Sequence, residues 1–301
     1  LIGKIAHHIL SRGFTGRVIA SGSRAIYLKG GRDEIIGVGR SSQPAHTRFL
    51  LAGAETSRVQ TGIKAWSNGD RLSFDDGTMI DLSDATVWRG RGPHCFKVIP
   101  ANHVDVGAAL QGVMSLHKGQ NLGVSLKRIY GQGHEGEYVN SPMGYEATFL
   151  RAATNSIRTV VRSFSSGRPD LDIGACRSLV GMGPGLTPSG DDFLGGLLFA
   201  VWNLNAAYPS IIGSDAESID SLLAYASSQT NQISHAILTD FAVGQGPLPL
   251  HDLVEAMLTG KPISAISDCI RRVAAIGHSS GWDMLAGFMV GMTMIDETLI
   301  A

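Results

Sequence analysis

Cysteine is scarce in this 301-residue chain: Cys95, Cys176 and Cys269 are far apart and odd in number. No Cys-x-x-Cys or Cys/His pair has zinc spacing, so a structural zinc site and a disulfide framework are both unexpected, and reduced thiols fit best. Charge is also low, at 17% of residues against an ordinary usage of about 25%. The 25 Lys+Arg and 26 Asp+Glu leave a net charge of -1. No global field draws a polyanion, and no nucleic-acid partner is expected. Only 11 prolines and no Gly-X-Y period exclude collagen. The longest apolar runs, Phe193 to Trp202 and Met284 to Ile295, fall short of the ~20 residues a membrane helix needs. The residues from Leu1 to His8 hold no signal-peptide apolar region or cleavage site. Together these absences predict a cytoplasmic protein with no membrane partner.

What the chain has instead is apolar surface and glycine. Hydrophobic residues make up 44% and glycine contributes 38, about twice its ordinary usage of roughly 7%. That composition supports a sizeable core and excludes disorder as the main state.

Two periodicities divide the sequence. From Thr15 to about Pro100, short apolar runs recur: Arg17–Ala20, Ala25–Leu28, Ile35–Val38, Arg71–Phe74, Met79–Leu82 and Ala85–Trp88. Turn residues separate them, with Asp76-Gly77 the clearest hairpin signal. This predicts an antiparallel β-rich barrel or sandwich. After His103 the period becomes 3.6, and helices are predicted at 104–117, 146–164, 191–204, 216–241, 250–258, 263–276 and 282–299. The expected class is α+β, with a β-rich domain over 1–103 and a helical domain over 104–301. The glycine-rich stretch from Gly119 to Tyr145 reads as a loop over a site.

The helical half carries one unusual motif, Gly181-Met-Gly-Pro-Gly-Leu-Thr-Pro-Ser-Gly-Asp-Asp-Phe-Leu-Gly-Gly196. A second segment, Gly277-His-Ser-Ser-Gly-Trp-Asp-Met-Leu-Ala-Gly287, shares Ser-Gly-x-Asp-x-Leu-x-Gly with it, from Ser189 and from Ser280. Part of this is explained by helix starts alone. A serine N-cap with Asp three residues on resembles a capping box, and Asp191, Asp192 and Asp283 suit a first turn. Gly195, Gly196 and Gly287 suit close helix packing. A cap, however, does not require the alternating glycines of Gly181 to Thr187. Such a loop suits backbone N–H groups approaching an anion at a helix start. It is neither a Walker A nor a Gly-x-Gly-x-x-Gly motif.

Adjacent carboxylates would repel that anion unless compensated. Mg²⁺ held through one or two carboxylates and waters would compensate them, as would Arg177, Arg271 or Arg272. Alternatively the carboxylates accept hydrogen bonds from an amide or carbamoyl NH₂. These arrangements stay open, and no organic cofactor is expected. His278 is a candidate acid or base, with a capping role equally open. Thr230 with Ser234, and Asn231 with His235, are polar pairs on an otherwise apolar helix. His251-Asp252 reads as a helix start. No Gly-x-Ser-x-Gly elbow or Ser/His/Asp order points to a hydrolase.

Gly183 to Ser189, Asp191-Asp192, Gly277 to Gly281 and Asp283 resemble the AllH family, subunits of bacterial oxamate carbamoyltransferase. Thr230, Ser234 and Pro249-Leu250-His251 agree with it, and the resemblance spans Leu179 to Gly291. The chain departs at Gly190, where the family accepts His, and at Trp282, where a small residue is usual. The resemblance implies a subunit of a multi-subunit enzyme of allantoin breakdown, interconverting oxalurate and phosphate with oxamate and carbamoyl phosphate. Its partners would be other carbamoyltransferase subunits and a small carboxylate or carbamoyl phosphate. The expected catalytic groups are His278, Asp191 and Asp192. Gly183, Gly185, Thr187, Ser189, Thr230, Ser234, Ser279, Ser280 and Asp283 would bind substrate. Two alternatives stand beside this: a non-catalytic partner subunit, or a stand-alone enzyme or binding protein for another small carboxylate or phosphorylated metabolite.

Overall fold

The structure is a computed structural model that describes residues 1–53, 59–118, 121–131, 145–164, 171–212 and 216–296. The chain is α+β, a curled nine-stranded sheet followed by a helical region. It divides into two compact units, Leu1–Arg91 with Gln245–Leu248, and Gly92–Gly244 with Pro249–Ala301.

The first unit holds β1 (Ile2–Gly3), α1 (Lys4–Ser11), β2 (Phe14–Ser21), β3 (Ala25–Gly30), β4 (Ile35–Arg40), β5 (Phe49–Ala52), β6 (Lys64–Ser67), β7 (Arg71–Phe74), β8 (Met79–Asp81) and β9 (Val87–Trp88). The strand order is β8-β7-β6-β2-β3-β4-β5-β1-β9. Alternate residues of β3, β6 and β7 turn inward, the period-two pattern of a sheet with one buried face. Ala6, Ile9 and Leu10 of α1 join Ile26, Leu28, Ile36 and Leu72 in the core. β7 and β8 pair across the Asp76-Gly77 turn, with Gly77 at φ 87°. Two pairings are parallel rather than antiparallel, β4 with β5 and β1 with β9. Gly37 in β4 makes room for Phe49, whose ring a Cβ there would meet at 2.5 Å.

The second unit comprises α2 (Val106–Leu116), α3 (Gly123–Tyr130), α4 (Tyr145–Ser163), α5 (Ile173–Arg177), α6 (Ser189–Ala207), α7 (Ala216–Gln229), α8 (Gln232–Ala242), α9 (Leu248–Leu258), α10 (Ile263–Ala274) and α11 (Ser280–Met292). The single long helix expected over 216–241 is two helices. The chain breaks at Thr230, and the Asn231 side chain accepts from the amides of Ile233 and Ser234, both at 3.0 Å, to start α8. The stretch from Gly119 to Tyr145 contains α3 where a loop was expected; positions 119–120 and 132–144 lie outside the described residues.

α6 and α11 form the centre. Every residue from Ser189 to Val201 is buried, as are Gly281 and Asp283 to Met292 of α11. Apolar all round, such helices require neighbours on every side. α8 packs on α6, and α2, α3 and α10 pack on α11. The contact between α6 and α11 is backbone to backbone. A Cβ at Gly196 would lie 2.0 Å from the Met284 carbonyl oxygen, and one at Gly287 would lie 1.8 Å from that of Phe193. Gly195 seats the Phe241 ring in the same way.

Candidate functional site

The close approach of α6 and α11 brings their first turns together, and with them three buried carboxylates. Asp191, Asp192 and Asp283 are 3%, 5% and 0% exposed. The capping-box expectation is corrected here. Ser189 and Ser280 are the first helical residues, the caps are Pro188 and Ser279, and neither cap makes a side-chain cap bond. The aspartates therefore turn into the protein rather than back over the helix ends.

Asp191 ties down the glycine-rich loop. Its Oδ1 accepts from the Gly181 amide at 2.7 Å, and its Oδ2 accepts from the Ser234 hydroxyl at 2.7 Å and from the Thr230 hydroxyl. Gly181, Gly183 and Gly185 have φ of 68°, 110° and 108°, values at which a side chain is strained. The Gly190 amide donates to the Met182 carbonyl at 2.8 Å, and the Asn231 side chain donates to the Leu186 carbonyl at 2.9 Å. The loop is thus clipped from α6 and from α8. Among the described residues the amides of Gly183, Gly185, Leu186 and Thr187 donate to nothing.

Asp192 and Asp283 occupy equivalent positions in the two motifs. The Thr187 hydroxyl donates to Asp192 Oδ2 at 3.1 Å and lies 3.3 Å from the Ser280 hydroxyl. Burial pushes Asp192 well above the usual carboxylate range, and Asp283 and Asp191 add to the rise; the Ser280 and Thr187 hydroxyls act against it. Asp283 Oδ1 accepts from the Leu122 amide at 2.8 Å. Burial pushes Asp283 up to about 6, opposed by that amide and by the Ser189 and Ser279 hydroxyls that face it. Its Oδ2 is buried and accepts no hydrogen bond of good geometry among the described residues.

Among the described residues no arginine bonds these carboxylates. Arg271 pairs with Asp268 at 2.5 Å, Arg272 with Asp252 at 2.6 Å, and Arg177 bonds Ser221 while stacking over Tyr225. Helix starts compensate instead. The amide of Leu122 opens α3, α6 and α11 begin at the carboxylates themselves, and Ser234 lies in the first turn of α8. Four positive dipole ends therefore converge on the cluster. Among the described residues no three His, Cys, Asp or Glu side chains are grouped to hold a metal ion.

Of the residues singled out from sequence, Thr187, Ser189, Asp191, Asp192, Thr230, Ser234, Ser279, Ser280 and Asp283 meet in this cluster. Gly183 lies over Ser189, whose amide a Cβ at Gly183 would meet at 3.1 Å. Gly185 is on the exposed part of the loop. His278 is exposed in the turn before α11 and bonds none of the three carboxylates. His251 is buried against the Phe199 ring, 5.0 Å between centroids, inside α9 rather than at a free helix start. The sequence reading missed the Leu122 and Gly181 amides, since a backbone donor leaves no side-chain signal, and the capping role of Asn231.

Both departures from the family pattern have local reasons. A Cβ at Gly190 would lie 1.9 Å from the Leu179 carbonyl oxygen, so this loop path excludes histidine there. Trp282 packs edge-on against His117, 5.0 Å between ring centroids.

The family model for oxamate carbamoyltransferase subunit AllH matches residues 179–292, which contain α6, α11 and every helix between them. No solved structure matches the chain.

Proposed function

We propose that this chain, whose residues 179–292 match the family model for oxamate carbamoyltransferase subunit AllH, serves as a subunit of an oxamate carbamoyltransferase and contributes residues to its active site. The observation that carries this reading is the convergence of Asp192, Asp283, Ser189, Ser280 and Thr187 at two helix starts within the matched span.

Transfer of a carbamoyl group between oxalurate and phosphate requires an anion site, hydrogen bonds to a planar carbamoyl unit and donors for a developing oxyanion. The unpaired amides of Gly183, Gly185, Leu186 and Thr187 suit the anion. The half-buried hydroxyls of Thr187, Ser279 and Ser280 stand between solvent and the carboxylates, where they reach the carbamoyl group. His278, exposed beside Ser279, supplies a further imidazole next to the start of α11. Asp191 acts through the loop by holding its first amide.

The test is reconstitution with the other subunits of an oxamate carbamoyltransferase, following carbamoyl phosphate formed from oxalurate and phosphate. Formation that depends on this chain supports the reading, and an equal rate without it refutes the reading. One observation favours a second reading, a non-catalytic interface role. Leu186 at the loop crest is 44% exposed, as an apolar anchor for another subunit would be. Leu186→Ser would then abolish co-purification, while a site role leaves assembly intact.

A further inference from the structure

Asp192 and Asp283 are each the fourth residue of a helix that opens on a serine, and the two helices cross at matched glycines. Gly196 faces the carbonyl of Met284, and Gly287 faces that of Phe193, at equivalent positions of the two motifs. The serines are exchanged across this local two-fold relation: Ser280 faces Asp192 and Ser189 faces Asp283.

We propose that Asp192 and Asp283 hold one proton between them and exchange it with the outside of the cluster through the half-buried hydroxyls of Thr187 and Ser280. Asp283 Oδ2 is fully buried and accepts no hydrogen bond of good geometry among the described residues, which is costly for an ionised carboxylate and is relieved when one member of the pair is protonated. The charges that act on Asp192 are those of Asp283 and Asp191, both negative. Asp191 already spends its oxygens on Gly181, Thr230 and Ser234.

Among the described residues no cation or other titratable group on the packed elements bonds Asp192 or Asp283. Lys127 donates to the His117 carbonyl, His117 to Asn121 and Tyr130 to Thr293. His235 meets the Leu223 carbonyl, and Arg271 and Arg272 hold Asp268 and Asp252. Arg128 and Asp240 bond neither carboxylate. Two buried like charges that act on each other titrate as a pair rather than singly. From Asp192 the path outward is short, through Thr187 at 3.1 Å and Ser280 a further 3.3 Å on.

The use of such a proton rests on the carbamoyltransferase reading. As an oxygen of hydrogen phosphate bonds to the carbamoyl carbon of oxalurate, the bond from that carbon to the oxalyl nitrogen breaks. The departing nitrogen takes the proton of the pair and leaves as oxamate. The pair recovers a proton from the phosphate, which leaves as carbamoyl phosphate. Atoms and charge balance without a further reactant.

The proposal is tested by infrared spectroscopy of the full-length chain, following the protonated-carboxyl C=O stretch from about pH 5 to about pH 9. A band present at neutral pH is expected, with its midpoint moved at least tenfold in proton affinity by Asp283→Asn, because Asp192 then loses its negative neighbour. Absence of a protonated carboxyl in the wild-type chain at neutral pH overturns the proposal without needing any variant. An unmoved midpoint in folded Asp283→Asn also overturns it. A paired titration in a chain whose reconstituted complex forms no carbamoyl phosphate would instead refute the transferase reading and leave the shared proton standing.

Discussion

Gly287 lies against the carbonyl oxygen of Phe193 so closely that a Cβ would sit 1.8 Å from it. The oxygen belongs to the backbone of α6, so it cannot swing aside, and relief requires separating α6 from α11. Gly287→Ala is expected to cost about 3 kcal/mol or more, the upper end for an overpacked core. Gly31→Ala, where a Cβ meets nothing within 4 Å, is expected to change stability by less than about 0.5 kcal/mol. Denaturant unfolding of both variants checks the contrast; equal stabilities would contradict the close crossing.

Asp191 is expected to matter chiefly for the loop. Alanine there leaves the Gly181 amide and the Thr230 and Ser234 hydroxyls without their acceptor, a loss of roughly 3 kcal/mol. Hydrogen exchange at the Gly181 amide should quicken well beyond the change elsewhere. Unaltered exchange there would contradict the clip.

Asp283 predicts a specific pH dependence. Burial raises its proton affinity in the fold, to about 6 from an ordinary 3.8. The folded state then binds the proton more tightly than the unfolded chain, so this group costs nothing below its ordinary value. Its cost grows as pH climbs through about 6 and reaches on the order of 3 kcal/mol above it. Asp283→Asn keeps an oxygen for the Leu122 amide and removes the charge. The variant should gain stability relative to wild type as pH rises from about 4 to about 7, measured by thermal unfolding across that range. Parallel curves would exclude a raised Asp283.

Gly183 separates loop shape from fold. Its φ of 110° is strained for alanine, and the new Cβ would press on the Ser189 amide at 3.1 Å. Gly183→Ala is expected to cost about 1–3 kcal/mol but to lower carbamoyl transfer by the reconstituted complex more than tenfold. Full activity in a folded variant would remove the loop amides from the site.

Much of this was legible in the sequence because it is local. Gly181 to Gly196 predicted a constrained loop before an apolar helix, and Gly196 and Gly287 predicted close packing. Thr230 and Ser234 were recognisable as one polar pair because they are four apart, although the helix they were placed on breaks at Thr230. The direction of the aspartates was not legible: Ser-Gly-x-Asp reads as a capping box until α11 is seen across from α6. The Leu122 amide was hidden for a different reason, since it comes 161 positions away from Asp283 and any residue could have supplied it. In the sheet, Phe49–Ala52 and Lys64–Ser67 were missed as strands: the first is apolar throughout and shows no alternation, and the second has just two apolar residues.

The most direct measurement is single-turnover carbamoyl transfer by the reconstituted complex carrying wild-type or Asp192→Asn chain, with assembly verified by co-purification and folding by thermal unfolding. If the start of α6 and α11 belongs to the active site, the variant complex assembles normally and transfers at least about a hundredfold more slowly. A correctly assembled Asp192→Asn complex that transfers at the wild-type rate would contradict that claim.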